Sequence, residues 1–214
     1  MDLVTTTKDL FESYQTFQQI HPHIGTMLTS EFIFLTSDAS SQLIKDKKLN
    51  FRKLKFTAAL APIYGLCLEG LLETGNLVET YISNNPLIKS ALGPNLFGNI
   101  YNLFFFANNT IGEKHNYSLT DLTKTYYTAI KDTTTAKEKF TNLIWNNVPK
   151  NPYYISVAGT LTFWNAFQTL SYEYLPKELH APAILGVSLF WTLGLTYASL
   201  IGSRKLAKKA THLI

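Results

Sequence analysis

A single cysteine, Cys67, leaves no partner for a disulfide and no thiolate cage for a metal. The five histidines are scattered. His21 and His23 share a short segment with no acid or thiol beside them, whereas a closed zinc site takes about four ligands. Arginine is nearly missing, with only Arg52 and Arg204. The chain is basic, with a net charge of +4 and a pI near 9.0. It nevertheless has no aromatic-plus-basic module that reads bases, so nucleic acid is not an expected partner. Charge of either sign is also scarce, at 16% of residues against about 25% in ordinary soluble domains. Mean hydropathy is +0.01, between soluble and membrane proteins.

The scarcity is uneven. Residues 182–202, "PAILGVSLFWTLGLTYASLIG", carry no charge, and neither do 151–172 or 91–112. A transmembrane helix needs about 20 mostly apolar residues, with Trp and Tyr favoured at the interfaces. Two further stretches, "HPHIGTMLTSEFIFLTSDASSQLI" at 21–44 and the segment from 56, are long and oily but hold acids. The pattern predicts an all-α, multi-span transmembrane helix bundle of four to five spans, forming one domain over 1–214. The spans fall near 22–44, 56–80, 86–112, 151–174 and 182–202. In a four-span version, 56–80 or 86–112 is re-entrant.

Alternating the sides of these five segments sorts the charge. Six Lys and Arg fall in 45–55, six in 113–150 and four in the tail after 202, which makes sixteen of nineteen on one side. Lys8, Lys89 and Lys177 remain on the other. The positive-inside rule puts the rich side on the cytoplasmic or matrix face. Two amphipathic, interfacial helices complete the set. Residues 9–20 place Leu10, Tyr14 and Phe17 on one face, with Phe11 alongside. Residues 118–148 start with Ser118 and Asp121 in capping-box spacing and form one polar helix on the basic side. Acids at Asp2, Asp9 and Glu12 argue against a transit peptide, and the final residues are not a peroxisomal address.

The polar residues inside the spans are the candidate functional positions. At 100° per residue Glu31, Asp38 and Gln42 lie within about 40° of one another, with Ser30, Ser37 and Ser41 beside them. Phe32, Ile33 and Leu43 take the lipid side. Ala61, Gly65 and Glu69 are spaced by four, Asn95, Asn99 and Asn102 form a stripe, and Gly194, Ala198 and Gly202 form a small-residue seam. Such positions suit close helix contact. The expected bundle has a polar, small-residue interior and an aromatic outside. An ionisable group in a span costs about 2.5–3.5 kcal/mol, so each acid either pairs across helices or lines a solute path.

The order of motifs resembles the Mpv17/PMP22 family of mitochondrial and peroxisomal membrane proteins over roughly residues 12–202. Tyr14, His21-Pro22, Ser37-Asp38 and Gln42 stand where that family opens with Tyr, His-Pro, Gly-Asp and Gln. Arg52 and Ala61-Pro62 match its Arg before a Gly-Pro step. Trp164, Gln168, Tyr172 and Pro176 follow its Trp-Pro-x-x-Gln run, and Trp191 sits in the last helix. Cys67-Leu68, Asn165 and Ser171 depart from the pattern, as does the stretch around Gly93-Pro94.

The resemblance implies four spans, no enzyme chemistry and small-solute channel activity, with Asp38, Gln42, Trp164 and Gln168 as positions to test. Lost family positions and the polar seams point to a non-catalytic accessory subunit of a larger complex in the mitochondrial inner membrane, with basic loops and C-terminus in the matrix. The alternatives are a channel of the Mpv17 type and a peroxisomal location. Expected partners are membrane lipids and the protein subunits of that complex. No cofactor is expected beyond a bound phospholipid such as cardiolipin.

Overall fold

A computed structural model describes residues 3–193, all helix and connecting turns. Helix α1 is Leu3–Ile20, α2 is Pro22–Asp46 and α3 is Phe51–Tyr81. Helices α4 (Pro86–Ser90) and α5 (Leu96–Lys114) form one kinked rod through a π-turn at Ala91–Asn95. Helices α6 (Leu119–Ile130) and α7 (Ala136–Asn147) make a short hairpin. Helices α8 (Lys150–Gly159) and α9 (Asn165–Tyr174) form a second rod through a π-stretch at Thr160–Trp164. A last helix, α10, covers 177–193. Gly194, Ala198 and Gly202, and the rest of the 182–202 segment, lie outside the described residues.

Local chemistry sets the boundaries. Pro22 and Pro86 occupy first-turn positions, where a missing N–H costs nothing. The Asn50 side chain accepts from the N–H groups of Arg52 and Lys53, and Asn85 does the same for Leu87 and Ile88. Lys47, with φ 57°, ends α2 in the left-handed region. One expected helix over 118–148 is in fact two. Asp132 accepts from the backbone and hydroxyl of Thr134 and from the hydroxyl of Thr135. These local bonds compete with helix continuation and turn the chain there.

The rods run antiparallel in sequence order. At one end, the start of α3 meets the end of α5, with the Phe56 ring on Gly112 and in a cluster with Ile111 and Leu122. The α6–α7 hairpin covers this end through Ile144, Val148 and Ala107. At the other end, α10 packs Ala181 and Ile184 on Leu72 of α3. Neither 51–81 nor 86–114 doubles back. At 1.5 Å per residue they are about 46 Å and about 43 Å long. Among the described helices, Phe51–Tyr81 is the one that by itself is long and apolar enough to cross a bilayer.

The outside is strongly apolar and the inside mixed. Among the described residues thirty-two large hydrophobic side chains are exposed, more than twice the fourteen hydrophobic residues that are buried. Phe32 and Leu43 are among the exposed, while Ile33 is half-buried. Ser30, Ser37, Ser90, Asn95, Gln42 and Gln168 are inside. The outside is less aromatic than expected. Tyr64, Tyr101, Phe105 and Phe34 form a ladder between α2, α3 and α5, with ring centroids 5.4–6.5 Å apart. On α1 it is Gln18 that is buried against α2, whereas Leu10 and Ile20 point outward.

Helix contact is tightest where α3 crosses the kink. A Cβ on Gly93 would sit 2.7 Å from the Cα of Gly75, so the two backbones touch. Gly93 also departs from helical geometry, with ψ −109° next to Pro94. Gly93→Ala is expected to cost about 1–3 kcal/mol through overpacking. Gly70→Ala, in open space, should be neutral or gain up to about 1 kcal/mol. Thermal unfolding in detergent followed by circular dichroism checks the pair.

Candidate functional site

The α2–α3 seam is centred on the serine stripe rather than on the acids. Ser30 has no exposed surface, and its hydroxyl donates to Ala61 O at 2.8 Å while lying directly over Gly65. Asp38 sits at the shoulder of this seam. It is held by Lys53 Nζ at 2.7 Å and by the Thr57 hydroxyl at 2.9 Å, both from the first turns of α3. Gln42 is buried one turn further on, where its Oε1 accepts the Asn50 N–H and its Nε2 is left without a partner. Glu31 is half-buried and has no hydrogen bond or ion pair among the described residues.

A second polar seam joins α4–α5 to α8–α9. Asn95 Nδ2 donates to Ser90 Oγ at 2.8 Å and to Asn165 Oδ1 at 3.0 Å. Ser90 Oγ in turn donates towards Asn165 O and Gln168 Oε1. Asn102 reaches Ser156 Oγ at 2.8 Å, while Asn99 bonds back to Asn95 O. The kink at Gly93 turns Ser90 and Asn95 towards α9. Asn95 Oδ1 and Asn99 Oδ1 are buried without donors. Trp164 takes no part in this network and stacks edge-on with Phe167 and Trp191. Tyr126 of α6 ties the hairpin to the bundle by donating to Asn108, whose amide donates to Tyr64 at 3.0 Å. Burial pushes the Tyr126 hydroxyl up to about 12.

Glu69 belongs to neither seam. It opens on a cavity of about 380 Å³ at the end of the bundle away from the α6–α7 hairpin. The end of α1, the start of α2, the second half of α3 and the α9–α10 corner enclose it. His23 Nδ1 lies 2.9 Å from Glu69 Oε1. Across the cavity Glu73 meets Lys177 at 3.3 Å, and Gln19 donates to Glu178 at 2.8 Å. Below it, Lys89 is buried against Glu79 and lies 4.3 Å from the centre of the Tyr172 ring. The candidate polar residues therefore fall into three separate places and do not line one path.

Sequence reasoning assigned no site role to Lys89, Asn165 or His180, and Tyr172 entered it only as a motif position. Lys89 and Asn165 did carry a signal, as one of three cations on the acid-rich side and as a polar residue inside an uncharged run. His180 carried none. Its Nε2–H donates to Leu175 O at 2.9 Å.

Asn165→Ala removes the acceptor for Asn95 and should destabilise the bundle by about 0.6–1.7 kcal/mol in lipid or detergent.

No family model, no curated protein and no solved structure matches the chain, so its role rests on its own geometry.

Proposed function

We propose that the chain is a multi-pass integral membrane protein in which α2, α3, α4–α5, α8–α9 and α10 cross the bilayer, and that it acts without catalysis as an accessory subunit of a larger membrane complex. The apolar exterior carries this reading. Water would drive Phe32, Ile63, Leu96, Leu161 and Phe190 inward, yet they are exposed while serine, asparagine and glutamine share the interior with the hydrophobic clusters. Lipid tails are as apolar as those side chains, so in a bilayer the arrangement has no such penalty.

Charge supports an orientation. The stretch from the end of α2 to the start of α3, the end of α5, the α6–α7 hairpin and the start of α8 hold twelve of the described cations at one end. The positive-inside rule and the resemblance to Mpv17/PMP22 proteins favour the mitochondrial inner membrane with this end in the matrix, and a peroxisomal membrane second. At the same end Lys150 Nζ lies 3.3 Å over the Trp145 ring, a pairing suited to the headgroup of an anionic phospholipid such as cardiolipin. Leu10, Ile20, Ile24 and Leu28 give α1 and α2 an apolar outer face for neighbouring subunits. A small-solute channel is the second reading, favoured by Glu31, the half-buried acid with no partner among the described residues.

The protein should remain in the pellet after alkaline carbonate extraction and run well above its 24.2 kDa mass on native gels of mitochondrial membranes. In a Cys67→Ser background, an impermeant maleimide added to mitoplasts should label Asn84→Cys and spare Thr133→Cys until the membrane is opened. Release by carbonate would remove the membrane reading. Equal labelling at both positions would remove the orientation.

A further inference from the structure

We infer that the outward face of α1 is the docking site for a membrane-spanning helix of a different protein, one that presents a Lys or Arg to Asp9. This deepens the subunit reading and rests on it. Helix α1 does not lie across the end of the bundle but doubles back along α2. Gln18 lies directly over Gly25, and the Tyr14 hydroxyl meets Thr29 Oγ1 at 2.8 Å. Both contacts fit one antiparallel register, which sets Ser13 level with Ser30, Glu12 with Glu31 and Asp9 with Phe34. Helix α3 is tied to α2 over the same levels, by Ser30 on Ala61 O and His23 on Glu69. There the neighbouring helices turn apolar side chains outward, Leu28 and Phe32 from α2 and Ile63 and Leu66 from α3. On the membrane reading this is hydrocarbon depth.

The outward face of α1 is of the opposite character. At 100° per residue, Asp9, Ser13 and Thr16 fall within about 60° of one another and on the side away from the buried Gln18. All three are exposed, as is Glu12 beside them. Asp9 has no hydrogen bond or ion pair among the described residues. A carboxylate turned towards lipid tails is costly, and acids at that depth pair with another group or face water. Hydroxyls and a carboxylate at the level of an apolar belt therefore call for a polar cover, and a cation is the complement of Asp9.

The flanks of the face decide between occupants. Leu10 and Phe17 are exposed along one side of the polar centre, which suits a helix that is itself mostly apolar and carries a single basic position. A second copy of this chain fits poorly. Two α1 helices face to face would bring the same acids, Asp9 and Glu12, together on one axis, and like charges set against each other select against that pairing.

The test places photo-cross-linking benzoylphenylalanine at position 13 of the full chain in its native membranes and identifies the adduct by mass spectrometry. One partner protein is expected, joined through a spanning segment that holds a Lys or Arg. Asp9→Lys should lower the adduct yield by at least about tenfold and the isosteric Asp9→Asn by a smaller factor. Replacing the partner's cation with Glu should restore the yield in Asp9→Lys and lower it in the unaltered chain. An adduct with lipid alone, with a second copy or with a segment outside the membrane overturns the proposal, as does an undiminished yield in Asp9→Lys. So does rapid labelling of Ser13→Cys by an impermeant maleimide in the Cys67→Ser background, which would make the face aqueous. Carbonate extraction and native mass are read separately. A chain that stays in the pellet at high native mass but gives no protein adduct at position 13 keeps the subunit reading and loses this one.

Discussion

Gly75 and Gly93 bring two helix backbones into direct contact, and much of the bundle is arranged around that approach. Where the outside of a protein is as apolar as its surroundings, burying leucine yields little. Helices then adhere through close packing and hydrogen bonds between them, and both need small residues. Ser30 over Gly65, with its hydroxyl on Ala61 O, repeats the device between α2 and α3. The kink required at Gly93–Pro94 has a further effect. It swings Ser90 and Asn95 onto Asn165 and Gln168, so the irregular backbone and the densest polar network occur at the same level.

The acids are handled according to where they fall. Asp38 lies near the cation-rich end and is met by Lys53, while Glu79 and Glu73 lie at the opposite end and take Lys89 and Lys177. This leaves that end with more carboxylate than ammonium, and the hairpin end with the reverse. On the membrane reading, the same imbalance that orients the chain also leaves Glu69 incompletely paired beside the cavity.

Much of the helical plan was legible because it depends on local and periodic properties. The long uncharged runs and the helical spacing of the polar residues within them each act through neighbours in the chain. The single helix expected over 118–148 failed for an equally local reason that is easily overlooked, the side-chain bonds from Asp132 to the threonines after it. The wheel over 21–44 identified the inward face but misplaced its centre. Angle alone does not reveal that the serine stripe, being smaller, lets α3 come closer than the acid stripe can.

The sequence by itself determined an all-helical chain, the approximate limits of its long helices and the sorting of cations to one side, because periodicity, capping and net charge need no partner. Only the tertiary structure decided that Asp38 meets Lys53, that the asparagine stripe faces α9, and that Glu69 opens on a cavity with Thr26. Those outcomes depend on which backbones come within a few ångströms of each other. That distance is set by pairs of small residues such as Gly75 and Gly93, far apart in the chain and unremarkable until they touch.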